Sequence, residues 1–190
     1  MIIGITGLKN SGKDTAAQYL VDKYEFERMA FADTLKEAAG ALFNVSPAWI
    51  DAQKNDEFTR VKLMHYHEPL DERGATEHAA DWSMREFLQR MGTEMGRHVF
   101  GENFWIEQAI RKVHSNKNYV IPDVRFTNEA QFCNYVIEIN RQIAHMTFDN
   151  HVSELGIRKE LIDYIIPNNG TIEELHRRME ECLTEILDKR

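Results

Sequence analysis

An apolar run at the start of the chain, Ile2-Ile3-Gly4-Ile5, leads into Gly7-Leu8-Lys9-Asn10-Ser11-Gly12-Lys13-Asp14-Thr15, and a helical pattern follows through Leu20 and Val21. Strand, glycine-containing loop and helix in this order describe a loop that cradles phosphate. Gly7 and Gly12 let backbone amides converge on phosphate oxygens, the helix start favours negative charge, and Lys13 reaches between the β- and γ-phosphates of a nucleotide. Lys9, Asn10 and Ser11 complete the cradle. One position departs from the usual pattern: Asp14 stands where Ser or Thr normally ligates magnesium, and Thr15 comes one residue later. Either Asp14 holds the ion, directly or through water, or it stabilises the helix start while Thr15 serves the metal. A plain glycine-rich turn with an accidental lysine is disfavoured by the strand before it and the helix after it.

β-rich runs, Ile2 to Thr6, Phe26 to Ala32, Tyr119 to Val124, Tyr135 to Arg141 and Tyr164 to Pro167, alternate with helical patterns. The alternation predicts an α/β domain on a mainly parallel sheet. Met1 to Ile5 and Tyr135 to Ile139 are nearly continuous in apolar residues, as central strands covered on both faces should be. Ser83-Met84-Arg85-Glu86 and Thr171-Ile172-Glu173-Glu174 are capping boxes that each open a helix. The second helix sets Ile172, Leu175, Met179, Leu183 and Ile186 on one face, and the first turns Met84, Phe87, Leu88, Met91 and Met95 toward the core. Asn55 to Asp81 is polar without clear periodicity and reads as a lobe or insertion of unreadable conformation. With 190 residues and no linker composition, residues 1–190 are expected to form one domain.

A formal charge of −8 disfavours a general nucleic-acid binder. No apolar stretch is long enough to span a membrane and no signal peptide opens the chain, so a cytoplasmic protein is expected. Cys133 and Cys182 offer neither a disulfide framework nor paired metal ligands, and His65, His67 and Glu68 resemble a metal cluster in composition only.

In a parallel sheet, groups beyond the carboxyl ends of the strands meet at one crevice. The second run ends at Asp33 and Lys36: a substrate-facing acceptor with a phosphate-steadying lysine, or an N-cap followed by a solvent lysine. Asp123, after the third, stands where a carboxylate serves magnesium or its water shell, or caps a helix. Arg125 beside it suits a bidentate phosphate contact or a salt bridge. Arg85, Gln89, Thr93 and Arg97 recur at four-residue spacing, a stripe that reads a base edge and an acceptor phosphate or else a solvated face. Pro167-Asn168-Asn169-Gly170 reads as a turn, with a contact to a purine ring as the alternative. Arg141 and Arg158 flank His151-Val152-Ser153-Glu154, as lid cations or as surface ion pairs.

Taken together, Gly7 to Thr15 with its Gly-Lys-Asp-Thr ending, Phe31-Ala32-Asp33-x-Leu35-Lys36, Arg85-x-x-Leu88-Gln89-x-x-Gly92-Thr93-Glu94, Asp123-Val124-Arg125-Phe126-x-Asn128-Glu129 and His151-x-Ser153-Glu154 resemble the deoxynucleoside monophosphate kinases of tailed bacteriophages. The resemblance implies a P-loop kinase fold, a five-stranded parallel sheet flanked by helices, with a helical or irregular acceptor-binding insertion at about residues 45–100. It implies magnesium and ATP as donor, a deoxynucleoside monophosphate as acceptor, and a homodimer. Carried over, Lys13, Asp123 and Arg125 act at the transferred phosphoryl group; Gly7 to Thr15 and Asn169 bind ATP; Asp33, Lys36, Arg85 and Gln89 face the acceptor; Asp14, Thr15 and Asp123 serve the metal. The alternatives are a P-loop kinase for another phosphorylated small molecule, such as phosphomevalonate, and a nucleotide-binding switch. No Asn-Lys-x-Asp guanine-reading motif supports the switch.

Overall fold

The computed structural model describes residues 1–54, 56, 59–65, 78–142 and 157–189. The chain divides into two compact units: Met1–Phe31 with Ile106–Arg190, and Ala32–Trp105. His67, Glu68, His151, Ser153 and Glu154 lie outside the described residues.

The first unit is built on strands β1 (Ile2–Thr6), β2 (Glu27–Arg28), β5 (Tyr119–Ile121), β6 (Tyr135–Asn140) and β7 (Tyr164–Pro167). They form one sheet in the order β2-β5-β1-β6-β7, and every pairing is parallel. The expected five-stranded parallel sheet is therefore present, with β1 at its centre. Ile3, Ile5, Val120, Ile137 and Ile139 are buried in the core, as strands without a polar face require. Helices α1 (Lys13–Tyr24), α6 (Thr127–Phe132) and α7 (Ile172–Asp188) belong to the same unit. Ala16, Ala17 and Leu20 of α1 join Leu175, Met179, Leu183 and Ile186 of α7 around the sheet residues.

Three expectations are corrected here. The second strand stops at Arg28 instead of continuing to Ala32: Met29 still donates to the Val120 carbonyl at 3.0 Å, but the Phe31 amide turns to Asp123 Oδ1 at 3.1 Å and helix α2 (Phe31–Phe43) begins. A carboxylate from the turn after β5 thus starts a helix where β-propensity alone predicts extension. The third strand ends at Ile121, because Pro122 has no amide to continue the ladder. On α7, Ile172 is 58% exposed and Cys182 takes a place on the buried face; the first helical residue stands one turn ahead of Leu175, where burial begins.

In the second unit, α2 is followed by α3 (Pro47–Gln53), with Ser46 Oγ accepting from the Trp49 amide and Pro47 at the first turn, where its missing N–H costs nothing. Within the stretch of unreadable conformation, β3 (Arg60–His65) and β4 (His78–Ser83) form an antiparallel hairpin, Arg60 opposite Ser83 and His65 opposite His78. Lysine and histidine among its residues hide the period-2 pattern. Ser83 then caps α4 (Met84–Arg90), with Glu86 returning to the Ser83 amide at 2.8 Å. That carboxyl is held below its ordinary range by the Ser83 amide and hydroxyl. Ala39, Ile50, Val61, Met84, Phe87 and Met91 form the unit's core.

Beyond α4 the helix widens into a π-helical stretch, Met91–Val99. Trp105 explains it: its indole N–H donates to the Gly92 carbonyl at 2.7 Å, and its ring lies where a side chain at Gly96 would stand. A group inserted into the ladder opens the turn, and residues beyond it leave the 3.6-residue phase. Met95, expected in the core, is therefore 38% exposed, while Gly96 is buried.

Candidate active site

The loop between β1 and α1 leaves the carboxyl end of the central strand, where ligands bind in sheets of this kind. Gly7 has φ +135° and Gly12 φ +102°, values that side chains strain to adopt. Space demands glycine as well: a Cβ on Gly7 would meet the Ile139 carbonyl, and one on Gly12 would meet Asn168 Nδ2. Asn10 takes the left-handed conformation at φ +63°, the ordinary substitute for glycine there. The Ser11 amide closes the loop on the Leu8 carbonyl at 3.1 Å.

Gly12 is the N-cap of α1 and supplies no side chain, so the first-turn amides receive no side-chain cap from it. The caps of α3, α4 and α7 are Ser46, Ser83 and Thr171, each accepting from its own helix. An uncapped helix start on a curled loop is a donor array for an anion. Lys13 Nζ donates across the loop to the Leu8 carbonyl at 2.6 Å, which holds its charge over the same backbone. Lys9 and Asn10 are exposed at the loop tip, Asp14 is exposed in the first turn of α1, Thr15 is half-buried beside it, and Ser11 is wholly buried.

Asp123 and Arg125 follow β5, the neighbour of β1, at the same end of the sheet. One oxygen of Asp123 accepts from the Phe31 amide, so this carboxylate has a helix-starting duty. The turn after it rests on Glu129, only 4% exposed, whose Oε2 accepts from the amides of Arg125 at 2.9 Å and Phe126 at 3.1 Å. Cys133, packed against Gly4, has its thiol pushed up to about 12, by burial first and then by the charges of Glu129 and Asp123.

After β7, Asn168 and Asn169 divide the work. Asn168 is buried and donates from Nδ2 to the Ser11 carbonyl at 2.8 Å; Asn169 is exposed, with Oδ1 accepting from the Gln142 amide at 2.8 Å. Sequence reasoning names Asn169 and passes over Asn168 and Glu129. Signals for both exist: alternation from Ile166 through Pro167 turns Asn168 inward, and a glutamate three residues after Phe126 is a helix-start residue. Arg141 and Arg158 are both exposed.

The acceptor-side candidates belong to the second unit. Asp33 lies in the first turn of α2. Lys36 is no solvent lysine: its side chain is 15% exposed, with Nζ 3.0 Å from Asp51 and 3.7 Å from Asp33. Burial works to raise the Asp51 carboxyl, but hydrogen bonds from Lys54 and Lys36 outweigh it and hold the group below its ordinary value. Arg85, Gln89, Thr93 and Arg97 are all half-buried along one side of the helix, while Met84, Phe87 and Met91 are buried. The stripe is therefore neither core nor fully solvated face.

Asp14, Thr15 and Asp123 carry oxygen donors of the hard kind that suit magnesium, in the small number it uses when phosphates supply the rest. Among the described residues no helix is long and apolar enough to cross a membrane.

The model of the family described as "Deoxynucleotide monophosphate kinase" matches residues 48–179, a span that begins after the loop between β1 and α1 and includes Arg85, Gln89, Asp123 and Arg125. A protein of Acanthamoeba polyphaga mimivirus that bears the same family name is 32% identical, with 96% of each chain covered. The deoxynucleotide monophosphate kinase of Enterobacteria phage T4 is 22% identical over 96% of this chain and 98% of its own. The deoxynucleoside-5'-monophosphate kinase of Escherichia phage T5 is 26% identical over 88% and 89%.

Proposed function

The chain belongs to the deoxynucleotide monophosphate kinase family, and from that premise we propose that it moves the γ-phosphoryl group of magnesium-ATP in line onto the 5'-phosphate of a deoxynucleoside monophosphate. The observation that carries the donor half is the uncapped start of α1 on a loop that leaves the central parallel strand. Loop amides and Lys13 hold the β- and γ-phosphates; Arg125 neutralises charge as the phosphoryl group passes between oxygens. Asp14, Thr15 and Asp123 would hold magnesium, which supplies charge neutralisation at the bridging oxygens when bound. Asn169, at the exit of β7, lies beside the purine of ATP.

Acceptor recognition falls to the second unit. Arg85 binds the acceptor phosphate, Gln89 reads the base edge, and Asp33 with Lys36 completes the pocket as an ion pair already in place. No strong base is required, because the acceptor phosphate is itself an anionic nucleophile; alignment and charge are the protein's work. The setting is the cytoplasm, where both nucleotides are found.

The test is coupled ADP release with magnesium-ATP against each deoxynucleoside monophosphate, its ribose counterpart and phosphomevalonate, with a control lacking acceptor. Release that depends on one or more deoxynucleotides is expected. Release equal to the control, or release with phosphomevalonate alone, refutes the proposal.

A further inference from the structure

Asn168 touches three parts of the first unit. Its amide donates to the Asn140 carbonyl at 2.7 Å, continuing the β6–β7 ladder, so its backbone is fixed by the sheet. Its side chain, in a residue only 8% exposed, reaches back 157 positions to the Ser11 carbonyl. The same Nδ2 lies so close to Gly12 that any side chain there would collide with it. One amide group therefore braces the Ser11–Gly12 peptide from the sheet side.

A peptide unit is planar and trans, so its carbonyl and its amide hydrogen point in opposite directions. Holding the Ser11 carbonyl toward Asn168 turns the Gly12 N–H away from the sheet edge. The flanking peptides are held separately, the Ser11 amide by Leu8 at 3.1 Å and the Gly12 carbonyl by the Ala16 amide at 2.9 Å, while the buried Ser11 hydroxyl has no hydrogen-bond partner among the described residues, so the Ser11 carbonyl itself is held by Asn168. We propose that Asn168 is a positioning residue for the donor nucleotide, holding the Ser11–Gly12 peptide so that the Gly12 amide is presented to the phosphates of ATP. This rests on the phosphate-loop assignment above and adds to it a group that never touches the ligand. A peptide free to flip would offer a carbonyl oxygen to a polyphosphate in place of a donor, which repels where it should bind.

The decisive variant is Asn168→Asp, which keeps shape and backbone bond but replaces the donor with a carboxylate facing a carbonyl. Magnesium-ADP is titrated by calorimetry into wild type and variant, and steady-state constants are measured for ATP and acceptor separately. We expect the variant to lose about tenfold or more in ADP affinity and to raise KM for ATP correspondingly, with KM for the acceptor within about twofold of wild type. Lowering the pH toward about 5.5 should restore part of the ADP affinity, because a protonated carboxyl donates to Ser11 again; wild type run in parallel shows no such gain. Equal ADP affinity in the two proteins overturns the proposal, as does a loss shared equally by ATP and acceptor. Wild type that fails to bind magnesium-ADP refutes the donor-site assignment instead, so the two failures are distinguishable. If Asn168→Asp does not fold, Asn168→Ser removes the reach without adding charge and is judged by the same split between ATP and acceptor.

Discussion

Replacing Glu129 with alanine removes a buried carboxylate oxygen that accepts two backbone amides at once, from Arg125 at 2.9 Å and Phe126 at 3.1 Å. A hydrogen bond to a charged group contributes about 1.5–3 kcal/mol. The two share one acceptor, and the half-buried amides regain some water, so the sum is not additive. A loss of about 3 kcal/mol is expected for Glu129→Ala, which for a chain of this size lowers Tm by roughly 6–12 °C. Glu129→Gln keeps an acceptor of the same shape and loses only the charge at the start of α6, at a cost of about 1 kcal/mol. Urea unfolding followed by far-ultraviolet circular dichroism and by tryptophan fluorescence reads both variants, and coincidence of the two probes checks that the transition is cooperative. An alanine variant within about 0.5 kcal/mol of wild type would show that water replaces the carboxylate without penalty. A glutamine variant as damaged as the alanine one would show that charge, and not the acceptor, holds the Arg125 turn. Either result refutes the reasoning.

Two further outcomes follow. Lys13→Ala should leave stability within about 1 kcal/mol, because the Lys13–Leu8 hydrogen bond is exposed, yet lower kcat/KM by about 10²-fold or more; near-normal turnover removes Lys13 from its role. The Cys133 and Cys182 thiols, both pushed up to about 12 chiefly by burial from an ordinary value of 9.0, should resist a thiol reagent at neutral pH and react fully on unfolding. Since the unfolded chain releases these protons first, the thiols' contribution to stability is complete below about pH 9 and is lost as pH rises toward about 12; titration of native-state labelling and of the urea midpoint measures both, and fast labelling at neutral pH contradicts the burial argument.

Much of the architecture is legible in residue patterns because the first unit obeys local rules. Ile2–Thr6 and Tyr164–Pro167 coincide with their strands residue for residue, and both capping boxes form as read. Departures occur where a distant group overrules local preference. Asp123 starts a helix at Phe31 within a β-rich run, and the Trp105 indole opens the turn after Gly92 and rotates Met95 outward. Asp123 lies 92 positions from Phe31, outside any window of a periodicity argument, and hydrophobic periodicity carries no signal for an indole that enters a helix ladder. The strand, glycine loop and helix at Ile2 to Tyr24 are legible, since the glycines, lysine and flanking elements are contiguous. The bracing of the loop is not: Asn168 is 157 positions from Ser11, and two adjacent asparagines compete for attention. Lys36 has a similar history, because its partner Asp51 lies on another helix and only packing brings them together.

The central strand also sets a schedule. Ile2 pairs with Tyr119 on one side and Ile3 with Tyr135 on the other, so β1 has neither of these strand partners until the segment from Tyr119 onward has been synthesised. The intervening unit, by contrast, closes its hairpin between Arg60 and Ser83 and its core between Ala39 and Met91. Pairings of such separation are slow because closure entropy is lost before contacts repay it. On the ribosome the segment from Ala32 to Trp105 is thus able to settle first, while an apolar strand and the loop attached to it remain unpaired. The loop between β1 and α1 gains the Asn168 hydrogen bond to Ser11 only when β7 arrives, so this peptide is among the late parts of the first unit to be fixed.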